Sequence, residues 1–225
     1  MKRATSGRDI IVPVGHRGLS ATLDVPADAA GLILFAHGSG SSRHSPRNRY
    51  VASVLQEAGF ATLLMDLLTL DEERLDAHTG HLRFDIDLLA DRLVSATDWL
   101  ERHADVSGLP VGYFGASTGA AAALVAAARR PRAIRAVVSR GGRPDLAGNS
   151  LASVHAATLL IVGGADRPVI ALNQQAFKEI AAIEKRLEIV PGASHLFEER
   201  GALEAVAVLA RDWFARHFVS APMCA

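Results

Sequence analysis

The sequence is short of cysteine, of lysine, of net charge and of long apolar runs, and each shortage excludes something. Its one cysteine, Cys224, rules out an internal disulfide framework and any cysteine-based metal cluster. Basic and acidic residues number 24 each, so the formal net charge is zero and a generic nucleic-acid binder with a strong basic excess is excluded. Only three of the basic residues are lysines (Lys2, Lys178, Lys185), and the 21 arginines read mainly as a compositional habit. The longest uncharged run of small apolar residues, Ala120–Ala128, has nine residues, far short of the ~20 that span a bilayer. Met1–Asp9 is polar and has no apolar h-region, so no secretory signal is expected and the cytoplasm is the default location. What remains is ordinary. The 225 residues are 49% hydrophobic and 21% charged, with no repeat or linker-like stretch, and are read as one domain over 1–225. A chain of that length buries roughly 70–75% of its unfolded surface and needs no staple to fold.

The periodicity alternates between strands and helices. Asp9–Val14 and Gly18–Val25 read as antiparallel strands around a Gly-His-Arg-Gly turn. Continuous apolar runs at Gly31–Ala36, Ala61–Met65, Pro110–Phe114, Ile134–Ser139, Thr158–Val162 and Leu187–Val190 predict strands, most of them buried on both faces. Helical spacing covers Arg47–Ala58, Asp85–His103, Thr118–Ala128, Val169–Ile183 and Leu203–His217. Such alternation predicts a mostly parallel sheet covered on both faces, with ligands beyond the carboxyl ends of the strands.

The unusual residues fall just after strands. Pro110–Phe114 runs into Gly115-Ala116-Ser117-Thr118-Gly119 and then a helix, which is G-x-S-x-G in the strand–turn–helix setting that gives the pattern meaning. A sharp turn there exposes the Ser117 hydroxyl above the sheet and needs glycine on both sides. The plain alternative is that Ser117 is a helix N-cap. A serine nucleophile needs a base, and the base needs an orienting acid. In the order Ser, Asp, His, the candidates are Asp166, after strand Thr158–Val162, and His195, after strand Leu187–Val190. Asp166 could instead cap the helix near Pro168, and His195 could be a surface-loop residue. Asp145 is the reserve acid, whereas Asp66 comes too early in the chain. Backbone N–H groups of Thr118 and, less directly, of Ser39 in the His37-Gly38-Ser39-Gly40-Ser41-Ser42 loop are the candidate oxyanion donors. A phosphate-loop reading of that segment is weak, because Arg43 stands where a third glycine is needed and no Gly-Lys-Ser/Thr follows.

The stretches HGSGSS (37–42), GYFGASTG (112–119), LLIVGGAD (159–166) and PGASHLFEE (191–199) resemble the α/β-hydrolase superfamily, and within it the dienelactone-hydrolase-like group. The resemblance implies an α/β fold with an eight-stranded, mostly parallel sheet, a Ser117–Asp166–His195 triad and no cofactor. The group's namesake carries a cysteine nucleophile, so serine at 117 turns the expectation from dienelactone toward a small carboxylic ester. Only Leu67–Arg83 separates the fourth strand from the next helix, which implies a cap-less enzyme with that stretch as a solvated rim loop. His78-x-x-His81 within it has no confirmed third ligand and is not read as a metal site. Arg43, Arg47 and Arg49 follow the oxyanion loop, while Arg140 and Arg143 follow strand Ile134–Ser139. Either of the latter two is a candidate to steer an anionic substrate, the alternative being a salt bridge to Asp145, Asp71 or Glu198. Expected partners are a small-molecule ester, no nucleic acid and no membrane, with the chain a monomer or homodimer. Thioester hydrolysis, acyl transfer, or ligand binding without catalysis remain open on the same scaffold.

Overall fold

The computed structural model of the chain describes residues 7–218. Its strands are β1 (Arg8–Val14), β2 (Arg17–Asp24), β3 (Leu32–Ala36), β4 (Ala61–Met65), β5 (Val111–Ala116), β6 (Ile134–Arg140), β7 (Ala157–Gly163) and β8 (Lys185–Val190). Its α-helices are α1 (Pro46–Glu57), α2 (Leu70–Thr79), α3 (Ile86–Leu100), α4 (Thr118–Arg129), α5 (Arg167–Glu179) and α6 (Ala202–Phe218). The strands form one sheet in the order β1-β2-β4-β3-β5-β6-β7-β8. β1, β2 and β4 pair antiparallel in turn, and every other pairing is parallel.

Burial explains why the central strands read as unbroken apolar runs. Every residue of β3, β4, β5 and β7 is buried, because helices cover both faces of the sheet. One face packs on α3, α4 and α5, with Leu34, Leu63, Tyr113 and Leu160 inward. The other packs on α1 and α6, with Phe35, Phe114, Val138 and Phe214 inward. β8 lies at the edge, where Val190 is its one buried residue and the others are half-buried or exposed. Among the described residues no helix is long and apolar enough to cross a membrane. Cys224 lies outside the described residues.

Two stretches differ from expectation. Leu67–Arg83 is not a loop: it carries α2 and a short 3-10 turn over Leu82–Phe84. Helix α2 has no apolar face, and Asp76 is its one buried residue. It is held by its ends and by charge instead. Thr69 and Glu72 form a reciprocal capping box at its start. Asp76 accepts from the Leu82 and Arg83 amides at 2.7 and 3.1 Å, and Glu72 accepts from Arg92 at 2.8 Å. At the other place, α5 stops at Glu179, so β8 begins at Lys185 rather than Leu187.

The centre of the sheet leaves no room where α4 meets β3 and β5. A Cβ at Gly119 would collide with the carbonyl oxygens of Ala36 and His37, and one at Gly115 would sit 2.8 Å from the Ala120 nitrogen. All of these obstacles are backbone atoms, which cannot swing aside. Gly119→Ala is therefore expected to lower stability by about 2–3 kcal/mol. That is a melting temperature lower by roughly 4–12 °C in thermal denaturation, and an unchanged melting temperature would mean that α4 can slide off β3.

Candidate active site

Ser117 joins β5 to α4 at φ 51 and ψ −121, one of three non-glycine residues with positive φ among those described. A side chain with a Cβ rarely occupies that region, and here the flanking backbone imposes it. The Ser117 N–H donates to Arg140 O at 3.2 Å, and Ser117 O accepts from the Ala120 and Arg143 amides, each at 3.1 Å. Ser117 stands at the N-cap position of α4, yet its hydroxyl makes no capping hydrogen bond. The ordinary reason for a serine at a helix start is thus absent. Its neighbours are buried, whereas Ser117 itself is partly exposed.

The same holds for Asp166. It is the N-cap residue of α5, but its side chain does not cap that helix. Instead Asp166 Oδ2 accepts from His195 Nδ1–H at 2.7 Å. The loops that carry these residues are laced together: Gly164 N–H donates to Val190 O at 2.8 Å and Ala165 N–H to Ala193 O at 2.9 Å. With the proton of His195 fixed on Nδ1, Nε2 keeps its lone pair. No hydrogen bond joins Ser117 to His195 among the described residues. Both border the Arg140–Arg143 loop: Ser117 is hydrogen-bonded to Arg140 and Arg143, and a Cβ at Gly141 would be 3.6 Å from His195 Cε1. Asp145, the reserve acid, is turned toward Arg143 instead.

The loop after β3 lies against the elbow, where a Cβ at Gly38 would be 3.0 Å from the Ser117 Cβ. The Ser39 amide does not point into empty space there: it donates to Thr118 Oγ1 at 2.9 Å. The Thr118 amide opens α4 and has no acceptor within the helix. A cavity of about 610 Å³ adjoins this point, lined by the serines of the loop, the first turn of α1, Leu67, Leu68, Leu89 and Thr118. Most of the five arginines singled out in sequence have protein partners. Arg43 pairs with Asp66, Arg47 donates to Glu198 at 3.1 Å, and Arg143 is bidentate on Asp145 at 2.9 and 2.7 Å. Arg49 is exposed, and Arg140 is buried. His78 Nδ1–H donates to Arg74 O at 2.9 Å, and no three potential metal ligands gather anywhere among the described residues.

A dienelactone hydrolase family profile matches residues 19–218. The chain belongs to the dienelactone hydrolase family. It is similar to the crystal structure of dienelactone hydrolase from Anabaena variabilis ATCC 29413, with 61% identity, a TM-score of 0.93, and 96% of this chain and 99% of that chain covered. It is also 60% identical over 209 residues to a Mycobacterium tuberculosis H37Rv protein provisionally named a phosphoribosyl transferase. That match takes in 93% of this chain but 46% of the relative, so the chain spans about half of that protein's length. Est1E from Butyrivibrio proteoclasticus shares the fold alone, at 16% identity and a TM-score of 0.79 over 96% of this chain and 100% of that one.

Sequence reading missed two residues that hold the family's loops in place here. Asn173, fully buried in α5, donates through Nδ2 to Gly142 O at 3.0 Å and to Val169 O at 2.8 Å, tying the Arg140–Arg143 loop to the helix. His37, the first residue of HGSGSS, donates from Nδ1–H to Gly38 O and accepts the Leu67 amide on Nε2, both at 3.0 Å. It thereby ties the loop after β3 to the loop after β4, and it can do so only as the neutral ring. Burial pushes its pKa below the ordinary 6.5, outweighing the Gly38 hydrogen bond and the Asp66 charge, which pull it up. The sign follows. Below pH 6.5 the unfolded chain takes up this proton more readily than the folded one, so the contribution of His37 is complete above 6.5 and is lost as pH falls. Urea unfolding at about pH 7.5 and about pH 5.5 should show the wild type losing more stability than His37→Gln. Equal losses would place the acid sensitivity elsewhere.

Proposed function

We propose that this chain hydrolyses small carboxylic esters through an acyl-enzyme on Ser117. One observation carries the reading: the Asp166–His195 hydrogen bond of 2.7 Å, made by an aspartate that stands at a helix start and does not cap it. A surface histidine and a capping aspartate would have no reason to meet. In the proposed reaction His195 Nε2 takes the Ser117 proton as Oγ bonds to the ester carbonyl carbon. The Thr118 amide holds the oxyanion, joined by the Ser39 amide once it exchanges Thr118 Oγ1 for the substrate oxygen. The carbon–oxygen bond to the alcohol breaks, and His195 hands that alcohol its proton. Water, deprotonated by His195, then attacks the acyl-enzyme and releases the acid. Asp166 stays ionised and stabilises the imidazolium. The missing Ser117–His195 hydrogen bond is no obstacle, because such contacts commonly close only when substrate is bound.

Thioester hydrolysis and acyl transfer use the same residues and belong to the same reading. Phosphoribosyl transfer does not. The glycine loop after β3 has Arg43 in place of a third glycine and no Gly-Lys-Ser/Thr after it, and we assign the activity in the mycobacterial relative's name to the part of that protein that this chain does not match. A binding role without catalysis is distinguished by labelling.

A fluorophosphonate probe is expected to label Ser117 stoichiometrically, and Ser117→Ala should reduce hydrolysis of short p-nitrophenyl esters to background. Asp166→Asn should keep the fold and lower kcat by about 10⁴, as loss of the orienting carboxylate does elsewhere. Hydrolysis that survives in Ser117→Ala, or a wild type that takes no label, would end the serine-hydrolase reading.

A further inference from the structure

The cavity beside the elbow opens where a reacting carbonyl would lie, since Gly38, Ser39 and Thr118 line it. Its volume of about 610 Å³ is that of a small-molecule site rather than a packing gap. One wall is built by α2 and the 3-10 turn after it, which contribute Glu73, Asp76 and Arg83. That wall has no apolar face of its own to bury, so its side chains are free to serve the cavity.

Glu73 stands out among them. Acids in the first turn of a helix suit its dipole, and the two beside Glu73 also have partners. Asp71 accepts from Arg74 at 3.0 Å, and Glu72 from Arg92 at 2.8 Å. The Glu73 carboxylate is half-buried and accepts no hydrogen bond from any described residue. Burial, and after it the Asp66 charge, push its pKa above the ordinary 4.5, against the opposing pull of Arg43. A carboxylate in that position lacks hydrogen-bond donors, and the open side it lines is the cavity.

The rest of the lining narrows what can supply those donors. Two carboxylates, Glu73 and Asp76, and two guanidiniums, Arg47 and Arg83, face the same space, so their formal charges cancel and neither an anion nor a cation is favoured. Arg83 gives Nε and Nη2 to Asp76 and keeps Nη1 free, near the place where a Cβ on Gly40 would be 4.0 Å from it. The hydroxyls of Ser39 and Ser41 also make no hydrogen bond among the described residues. Free acceptors and free donors therefore stand around one neutral space, with Leu67, Leu68 and Leu89 supplying carbon surface between them. A hydroxyl both donates and accepts, so a polyol answers both kinds of group, and its C–H faces suit the leucines.

We propose that this cavity binds a neutral, hydroxyl-rich part of the substrate, so that the preferred esters are polyhydroxylated ones, lactones included, and that Glu73 selects them by accepting their hydroxyls. The substrate class rests on the serine-hydrolase reading, but the binding site is tested apart from it.

D-galactono-γ-lactone and γ-hexalactone share one six-carbon skeleton and differ in the hydroxyls alone. Calorimetry on Ser117→Ala, which cannot acylate, should show the hydroxylated lactone binding about tenfold or more tightly than the plain one. Adding Glu73→Leu should remove most of that difference, and Glu73→Gln should keep most of it, because the amide oxygen still accepts. A residue that only held α2 in place would weaken both lactones together and would not be rescued selectively by glutamine. In the enzyme with Ser117 intact, the ratio of kcat/KM for the two lactones should fall by about tenfold in Glu73→Leu. Equal binding of the two lactones, no binding of either, or a hydroxyl preference untouched by Glu73→Leu overturns the proposal. Selective binding without turnover by the intact chain would keep the polyol site and remove the serine-hydrolase reading. Turnover of p-nitrophenyl esters with no hydroxyl preference would do the reverse.

Discussion

The closeness of α4 to the ends of β3 and β5 is the constraint on which the rest depends. Because Gly115 and Gly119 let backbone lie directly on backbone, the chain turns from strand to helix in a single residue. Ser117 is that residue, and its positive φ follows from the turn rather than from any preference of serine. The strain is distributed into the hydrogen bonds that bracket it: Arg140 O on one side, the Ala120 and Arg143 amides on the other. Those bonds also decide what stands beside the serine, since they carry the end of β6 and the loop that follows it.

That loop is held from three directions. Asn173 grips Gly142 from α5, Asp145 fills the fork of Arg143, and the His195 segment closes over Gly141. The loop after β3 is tied down independently by His37 to Leu67 and by Arg43 to Asp66. Two separately anchored loops meeting over one uncapped hydroxyl is the arrangement that preorganised donors require. It also shows why the Ser39 amide rests on Thr118 Oγ1. That hydroxyl is the acceptor within reach of a donor that would otherwise be unpaired.

How far the fold could be read from sequence depended on whether a residue's role was periodic. The buried strands β3, β4, β5 and β7 announce themselves because burial on both faces leaves no place for polar residues. The elbow was legible because steric crowding permits only Gly115 and Gly119, and the Ser–Asp–His order places candidates at strand ends. Helix α2 was not legible from periodicity, since its polar residues turn no face inward. The Thr69–Glu72 capping pair was the available sign of its start. The structural roles of His37 and Asn173 were not legible, although His37 opens the HGSGSS stretch. A buried polar side chain is recognised by the backbone groups it satisfies, and the loop-tying ones come from residues 30 and 31 positions away.

The arginines show how little composition settles locally. The chain is neutral overall, and the arginines near the site are mostly neutralised one by one: Arg43 by Asp66, Arg83 by Asp76, Arg92 by Glu72, Arg143 by Asp145. Each of these pairs fastens a segment that would otherwise be loose, which is the role sequence reading offered as the plain alternative for Arg143. Arg140 departs from the pattern at the point where departure is most costly, beside a strained serine and away from bulk water. Local rules of pairing and burial are obeyed throughout the rest of the described molecule with few exceptions. The strained serine and the unpaired guanidinium belong to adjacent strand ends that are tied together by the hydrogen bond from Ser117 N–H to Arg140 O, so the two departures from ordinary packing share one anchor.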